Sequence, residues 1–323
     1  MISIAMATYN GEKYLREQID SILNQTYKDF ELIICDDCST DSTVQIIKSY
    51  IDPRIKLFIN EKNLGFKKNF EKAIKLCTGE YIALSDQDDI WENNKLELCI
   101  NNIGEYDIIC TNSEIINSEN ISQNYTMKDV LKIKKIPNDQ FKIFSHLLFA
   151  NFVQGCTILA KKDFIISTLP IPEDFRYHDY WFGIMASINN GVKYLDVTTL
   201  RYRKHDNQVT TNLNNNCIKE KIRMHPKDKL FLACDEFLYD LNLINKIPTL
   251  NEKQKLIINK TIKYHEHMKD KDFYTLKFFI NNYDIIFFDK NILRKTIRIS
   301  RRIIGLLIYK LTKCKNRCIN NHC

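Results

Sequence analysis

Glycine is scarce in this chain, with eight residues in 323, and none of the eight falls into the G-x-G-x-x-G or Walker pattern that cradles phosphates on backbone amides. That absence argues against dinucleotide oxidoreductases and P-loop enzymes, and any phosphate bound here needs another source of positive charge. Long apolar runs are missing too. No stretch approaches the roughly 18 residues a membrane-spanning helix needs, and the opening MISIAMATYNG lacks the basic region and long apolar core of a signal peptide. A cytoplasmic protein is expected. The eleven cysteines are odd in number and lie among apolar stretches, as at Cys35, Cys77, Cys99 and Cys110, so they read as reduced core residues and not as a disulfide framework. A net charge of +7 is mild for this length, and no nucleic-acid partner is expected. No internal repeat is present.

What the chain does contain is alternation. Over the first 116 residues, short β-type runs (ISIAMA, FELIICD, IKLFIN, YIALSD, DIICTN) are separated by helical periodicity. Leu15, Ile19, Ile22 and Leu23 share one helix face, Val44 and Ile47 a second, and Phe70, Ile74 and Cys77 a third. Such alternation implies βαβ crossovers and an α/β fold with a mixed, mostly parallel sheet. Ligands in these sheets bind at the carboxyl ends of strands, where TYNG, DDCSTD, NEKNLGF and SDQDD all lie. From about residue 117 a loop through NSENISQN leads to a second segment: a helix near Phe141 to Phe152, a strand CTILAKK, a helix from HDYWFGIMAS and a strand VKYLDVTTLRYR. These divide residues 1–206 into two segments, 1–116 and 117–206, which the family resemblance set out below implies are a nucleotide-sugar-binding half and an acceptor-binding half. Residues 207–323 are expected to form a helical carboxyl-terminal extension.

Residues 83 to 91, ALSDQDDIW, put three aspartates into four positions. Carboxylates this close repel unless water or a cation compensates them. A divalent ion would do so, and oxygen ligands favour Mg²⁺ or Mn²⁺, which can bridge diphosphate oxygens. The competing reading is a solvated turn that caps the next helix. At the first two strand ends, Tyr9 offers a flat face for a base, and Asp36 and Asp37 can accept bonds from base or ribose donors. Ser39, Thr40 and Asp41 also suit a helix cap.

Together, ATYNG, SILNQTYKDFELIICDDCSTDST, NLGFKKNF, GEYIALSDQDDIW, HDYW and YRKHDNQ resemble bacterial glycosyltransferase family 2 over residues 1–206. SDQDDIW with HDYW and YRKH is similar to its rhamnosyltransferase-like members, which build surface polysaccharides. The resemblance implies a GT-A fold and a metal-dependent, inverting transfer. Its substrates would be a UDP- or dTDP-sugar and a glycan or lipid-linked acceptor. Its donor-binding set is Thr8, Tyr9, Asn10, Asp37, Lys67, Asp86 and Gln87. Asp88, with Asp86, would hold Mn²⁺ or Mg²⁺, His205 would complete the metal shell or meet the diphosphate, and Asp89 would bind metal or cap the next helix. Asp179 takes the position of the general base, or alternatively caps a helix, and Tyr180 and Trp181 would form an apolar acceptor wall. The family more often carries Glu-Asp where this chain has His178-Asp179.

Two rivals are a sugar nucleotidyltransferase, which would want a glycine-rich amino-terminal loop that ATYNGEKYLREQ lacks, and a non-catalytic carbohydrate-binding relative, which retention of both SDQDD and HDYW argues against. Cys314, Cys318, His322 and Cys323 fit no tight C-x-x-C zinc pair. Residues 290–317 hold ten basic side chains and no acid, interleaved with isoleucine and leucine. That basic amphipathic pattern predicts peripheral attachment to an anionic membrane, at the inner face of the cell membrane.

Overall fold

The computed structural model describes residues 1–131, 133, 135–206, 208, 237–268 and 280–281. Its sheet is organised around the strand Phe30–Asp36 (β2), every residue of which is buried. Successive side chains of a strand leave opposite faces, and here both faces are covered. Ile33 and Cys35 join one core with Phe70, Ala73 and Ile74 of helix α3 (Phe66–Leu76). Leu32 and Ile34 join a second core with Leu15, Ile19 and Ile22 of α1 (Leu15–Leu23) and Ile47 of α2 (Thr43–Lys48). A strand buried on both sides has no solvent face to keep polar, which is why FELIICD reads as a nearly unbroken apolar run.

β2 lies between β1 (Ile2–Thr8) and β3 (Ile55–Ile59), and β1 also pairs with β4 (Tyr81–Ser85), all in parallel. The sheet then turns antiparallel at β8 (Leu159–Lys161) and continues through β6 (Ile108–Ile116), β9 (Val192–Arg203) and β5 (Ile90–Trp91). β6 and β9 are parallel to one another. Register places Thr8 beside Asp36 and Met6 beside Ser85, so the loops after β1, β2 and β4 leave the sheet at one edge. The expected strands and helices are therefore present, with two additions. Within the segment read as a loop, Ser122–Thr126 (β7) pairs with β6 beyond the end of β8, and the Ser122 hydroxyl donates to Glu114. Ile90–Trp91 pairs with β9, so Asp89 leads into a strand and caps no helix.

Helices α6 (Gln140–Leu147) and α8 (His178–Ile188) close over the first core. Helical structure expected after residue 206 is seen over 237–245 and at Glu252–Met268. Leu241, Ile244, Ile258 and Tyr264 bury into that same core, and Asp240 pairs with Arg176 at 2.5 Å. The basic segment 290–323, with its four terminal metal-type side chains, lies outside the described residues. Among the described residues no helix is long and apolar enough to cross a membrane.

Candidate active site

The strand-end loops are tied to one another by side chains that resemble ligand groups in the sequence. Gln87 Oε1 accepts from the Tyr9 amide at 2.9 Å and its Nε2 donates to the Tyr9 carbonyl at 3.0 Å, which joins SDQDD to ATYNG. A side chain at Gly11 would place its Cβ 2.3 Å from Gln87 Oε1 and would push the Gln87 side chain off the Tyr9 backbone. Asp37 is buried: Oδ1 accepts from Asn60 Nδ2 and the Leu64 amide, both at 2.8 Å, and Oδ2 from the Gly65 amide at 2.9 Å. Thr8 donates its hydroxyl to Asp36 at 3.0 Å, and Asn10 Oδ1 accepts from the Thr40 amide at 2.8 Å. Thr8, Asn10, Asp37 and Gln87, expected to bind the donor, thus also tie the loops that end β1, β2 and β4 to one another. Tyr9 differs, since its ring is 48% exposed beside them.

The three aspartates point in different directions. Asp88 Oδ2 lies 2.8 Å from His205 Nε2 and accepts its N–H when that nitrogen carries the proton. Asp89 is fully buried, with Oδ1 on the Arg203 amide at 3.1 Å. Asp86 is half-buried between them, and burial, then the charges of Asp88, Asp89 and Asp179, push its carboxyl well above the usual range. One oxygen each of Asp86 and Asp89 and the Cys156 sulfur lie within 4.8 Å of one another. That inner group is a poor cation site: burial keeps the Cys156 thiol protonated, and the Lys95 ammonium bonds the Cys156 carbonyl. Asp86 and Asp88 offer hard oxygen donors of the kind that suit Mg²⁺ or Mn²⁺. Arg203, wholly buried, supports Asp88 from below by donating Nε to its carbonyl at 2.9 Å and Nη2 to Glu17 at 2.7 Å.

Asp179 reaches this cluster from the second half of the chain: its carboxylate holds the Gly155 amide, and the sulfur of the next residue, Cys156, lies with Asp86 and Asp89. It is the second residue of α8, whose cap residue is Tyr177, so it is not a cap. Its carboxylate accepts from the Gly155 amide at 3.1 Å, Asn151 Nδ2 at 3.2 Å and the Tyr180 amide at 2.6 Å. Those bonds favour the charged form, yet burial outweighs them and raises the carboxyl to about 6. A carboxylate near that value is ionised at neutral pH and still basic enough to take a hydroxyl proton in a transition state.

The acceptor-wall expectation meets a different geometry. Tyr180 and Trp181 face the core, 2% and 8% exposed, with the Tyr180 hydroxyl on the Leu147 carbonyl and Trp181 Nε1 on the Thr168 carbonyl. They form no acceptor wall. Lys67, expected to meet the donor, donates to the Glu173 and Phe175 carbonyls. Residues to which the sequence assigned no role are Asn151, Gly155, Cys156, Lys95 and His178. No spacing rule flags the first four. His178 was visible as the departure from Glu-Asp.

His178 is stacked on Phe70 at 4.4 Å, and among the described residues neither ring nitrogen has a hydrogen-bond partner. Its ring also fills the space over Gly155, where an added Cβ would come within 2.9 Å of Nε2. Burial, then the Lys67 charge, pushes the imidazole down from 6.5 to about 3, so the native state keeps it neutral. The unfolded chain takes up the proton below about pH 6.5 and the native protein does not, so stability present at neutral pH is lost as pH falls. Between about pH 7 and pH 5, wild type should lose about 2 kcal/mol more than His178→Leu in urea denaturation. Equal losses would show that the ring finds a proton partner in the native state.

The model of glycosyl transferase family 2 matches residues 3–165, half of the chain. The chain belongs to glycosyl transferase family 2. The Escherichia coli UDP-Glc:alpha-D-GlcNAc-diphosphoundecaprenol beta-1,3-glucosyltransferase WfgD is 30% identical over 66% of this chain and 80% of its own length. The dTDP-rhamnosyl transferase RfbG of Shigella flexneri is 34% identical over 65% of this chain and 75% of its own. The solved structure of S. aureus TarS 1–349 with UDP-GlcNAc covers 88% of this chain and 81% of its own, at 18% identity and a TM-score of 0.58. The family 2 chain thus has the GT-A fold and the glycosyltransferase activity of bacterial glycan biosynthesis.

Proposed function

We propose that this family 2 enzyme transfers a sugar, with inversion, from a UDP- or dTDP-sugar to a hydroxyl of a growing surface glycan, with Asp179 as general base. One observation supports the reading: the Asp179 carboxylate accepts from the Gly155 amide, next to Cys156, whose sulfur lies within 4.8 Å of an oxygen each of Asp86 and Asp89 in the acidic loop. Asp179 takes the acceptor hydroxyl proton as that oxygen attacks the anomeric carbon. The bond from the anomeric carbon to the diphosphate oxygen breaks on the opposite face, and the nucleoside diphosphate leaves. Asp86 and Asp88, with His205 beside them, would hold Mn²⁺ or Mg²⁺, which when bound supplies neutralisation of charge developing on the leaving diphosphate. The exposed Tyr9 ring offers a stacking face for the base. The relatives WfgD and RfbG, named for a UDP-glucose donor and a dTDP-rhamnosyl donor, support a donor of this class.

The test is a screen of UDP-, dTDP- and GDP-sugars with lipid-diphosphate-linked acceptors, scored by released nucleoside diphosphate and by the anomeric configuration of the product. Release from a UDP- or dTDP-sugar with inversion is expected. A product that retains configuration would remove Asp179 from its role, and pyrophosphate-dependent turnover would point to nucleotidyl transfer instead.

A further inference from the structure

The proposed base leans on a residue with no side chain. Gly155 opens a 3₁₀ turn, Gly155–Thr157, and its amide donates to Asp179 Oδ2 at 3.1 Å. Its backbone lies outside the left-handed region, where other residues would be strained, so what the missing side chain provides is room. A Cβ at this position would sit 2.9 Å from His178 Nε2, 3.5 Å from its Cε1 and 3.6 Å from the Asp179 Cβ. The ring in the way belongs to the residue that precedes the base.

His178 has little freedom to yield. It is 8% exposed, its ring is stacked on Phe70 at 4.4 Å, and Phe66 and Phe182 stand T-shaped to it at 6.0 and 6.1 Å. Among the described residues no hydrogen bond from either ring nitrogen holds it. Burial without a partner is unfavourable for an imidazole, so what the ring contributes here is shape: a flat face on Phe70 and an edge, Nε2 and Cε1, toward Gly155. The turn on the other side of that edge also meets the acidic loop, since the Cys156 sulfur lies within 4.8 Å of an oxygen each of Asp86 and Asp89. One short segment thus touches both the base and the loop that follows β4.

We infer that Gly155 and His178 form a matched pair, in which the imidazole is the spacer between helix α8 and the Gly155–Thr157 turn and so sets the Asp179 carboxylate against the Gly155 N–H. His178 is a positioning residue for the transfer: it acts through Asp179 and touches no substrate. The inference rests on the reading of Asp179 as general base.

A matched pair makes a prediction that two independent packing residues do not. Turnover and donor KM are to be measured for Gly155→Ala, His178→Ala and the double variant, with the donor and lipid-diphosphate-linked acceptor that the nucleotide-sugar screen selects. Gly155→Ala drives a methyl group into the ring and should lower kcat about 30- to 100-fold with donor KM within about twofold of wild type, as expected for a reacting group displaced by about an ångström. His178→Ala leaves the gap unfilled and should lower kcat about tenfold. In the double variant the methyl group enters the room that the ring vacated, so kcat should exceed that of Gly155→Ala by about fivefold or more. Independent effects would multiply and make the double variant the slowest, and that result would overturn the pairing. In an Asp179→Asn background, where no base is left to misplace, Gly155→Ala should change residual turnover less than about twofold. A loss there as large as in wild type would show general damage and overturn the positioning role.

Thermal melting of the same proteins needs no substrate. Gly155→Ala should melt below wild type and the double variant above Gly155→Ala, whereas losses that add would overturn the pairing. If Gly155→Ala does not fold, His178→Ala and the double variant still decide: kcat in the double variant equal to or above that of His178→Ala supports the spacer, and a lower value overturns it. Wild-type turnover in Asp179→Asn would remove the base reading and this role with it. A slow Asp179→Asn beside a Gly155→Ala of wild-type kcat would overturn the spacer alone.

Discussion

Asp179→Asn is expected to lower turnover by about two to four orders of magnitude while donor affinity stays near that of wild type. Asparagine keeps the size and one acceptor oxygen of the side chain, so the contacts to the Gly155 amide, Asn151 and the Tyr180 amide are largely preserved. What it loses is the ability to accept the acceptor's proton. The pH profile provides the check that a packing effect would not mimic. With the carboxyl raised to about 6, protonation below that value disables the base, so wild-type kcat/KM should rise with pH through about 6 and then level off. The variant should have no such limb. Wild-type turnover in Asp179→Asn, or the same limb in both proteins, would exclude the role.

Asp88→Ala should cost turnover about three orders of magnitude or more, since charge neutralisation on a leaving diphosphate is worth several kcal/mol. Folding should survive, because Asp88 lies in the loop that follows β4 with its side chain 15% exposed and contacts His205 without packing into either core. The expected signature is a loss of Mn²⁺ binding together with a melting temperature close to that of wild type. Chelator should bring wild type down to the level of the variant. Full activity of Asp88→Ala in chelator would sink the metal reading and leave the glycosyltransferase assignment intact.

Much of the architecture was legible in the linear chain. FELIICD, YIALSD and the helical stripe Leu15, Ile19, Ile22 are buried where their periodicity puts them, because a two-faced sheet demands apolar residues at every strand position and a helix demands them on one stripe. β7 escaped detection because its polar residues, SQNYT, are only partly buried at the edge and carry no hydrophobic alternation. The acidic loop could be picked out by charge density alone. Its internal division could not, since a string of letters gives no direction to a side chain.

Local composition and spacing thus determined the α/β alternation, the strand-end position of TYNG, DDCSTD and SDQDD, and the presence of a cluster that needs positive charge. Only the tertiary structure decided which polar atoms were left over for chemistry. Consecutive helical residues point about 100° apart, so Asp179, Tyr180 and Trp181 cannot all face one cleft; packing on α6 turned the two rings inward and left the carboxylate at the site. In the same way Asp37 and Gln87 became loop ties once backbone amides from elsewhere in the chain came within reach. Lys95 became buried because Trp91 and the Cys156 carbonyl closed over it. A hydrogen bond forms between groups that are near in space, and for groups this far apart along the chain nearness is set by the cores on either side of the sheet.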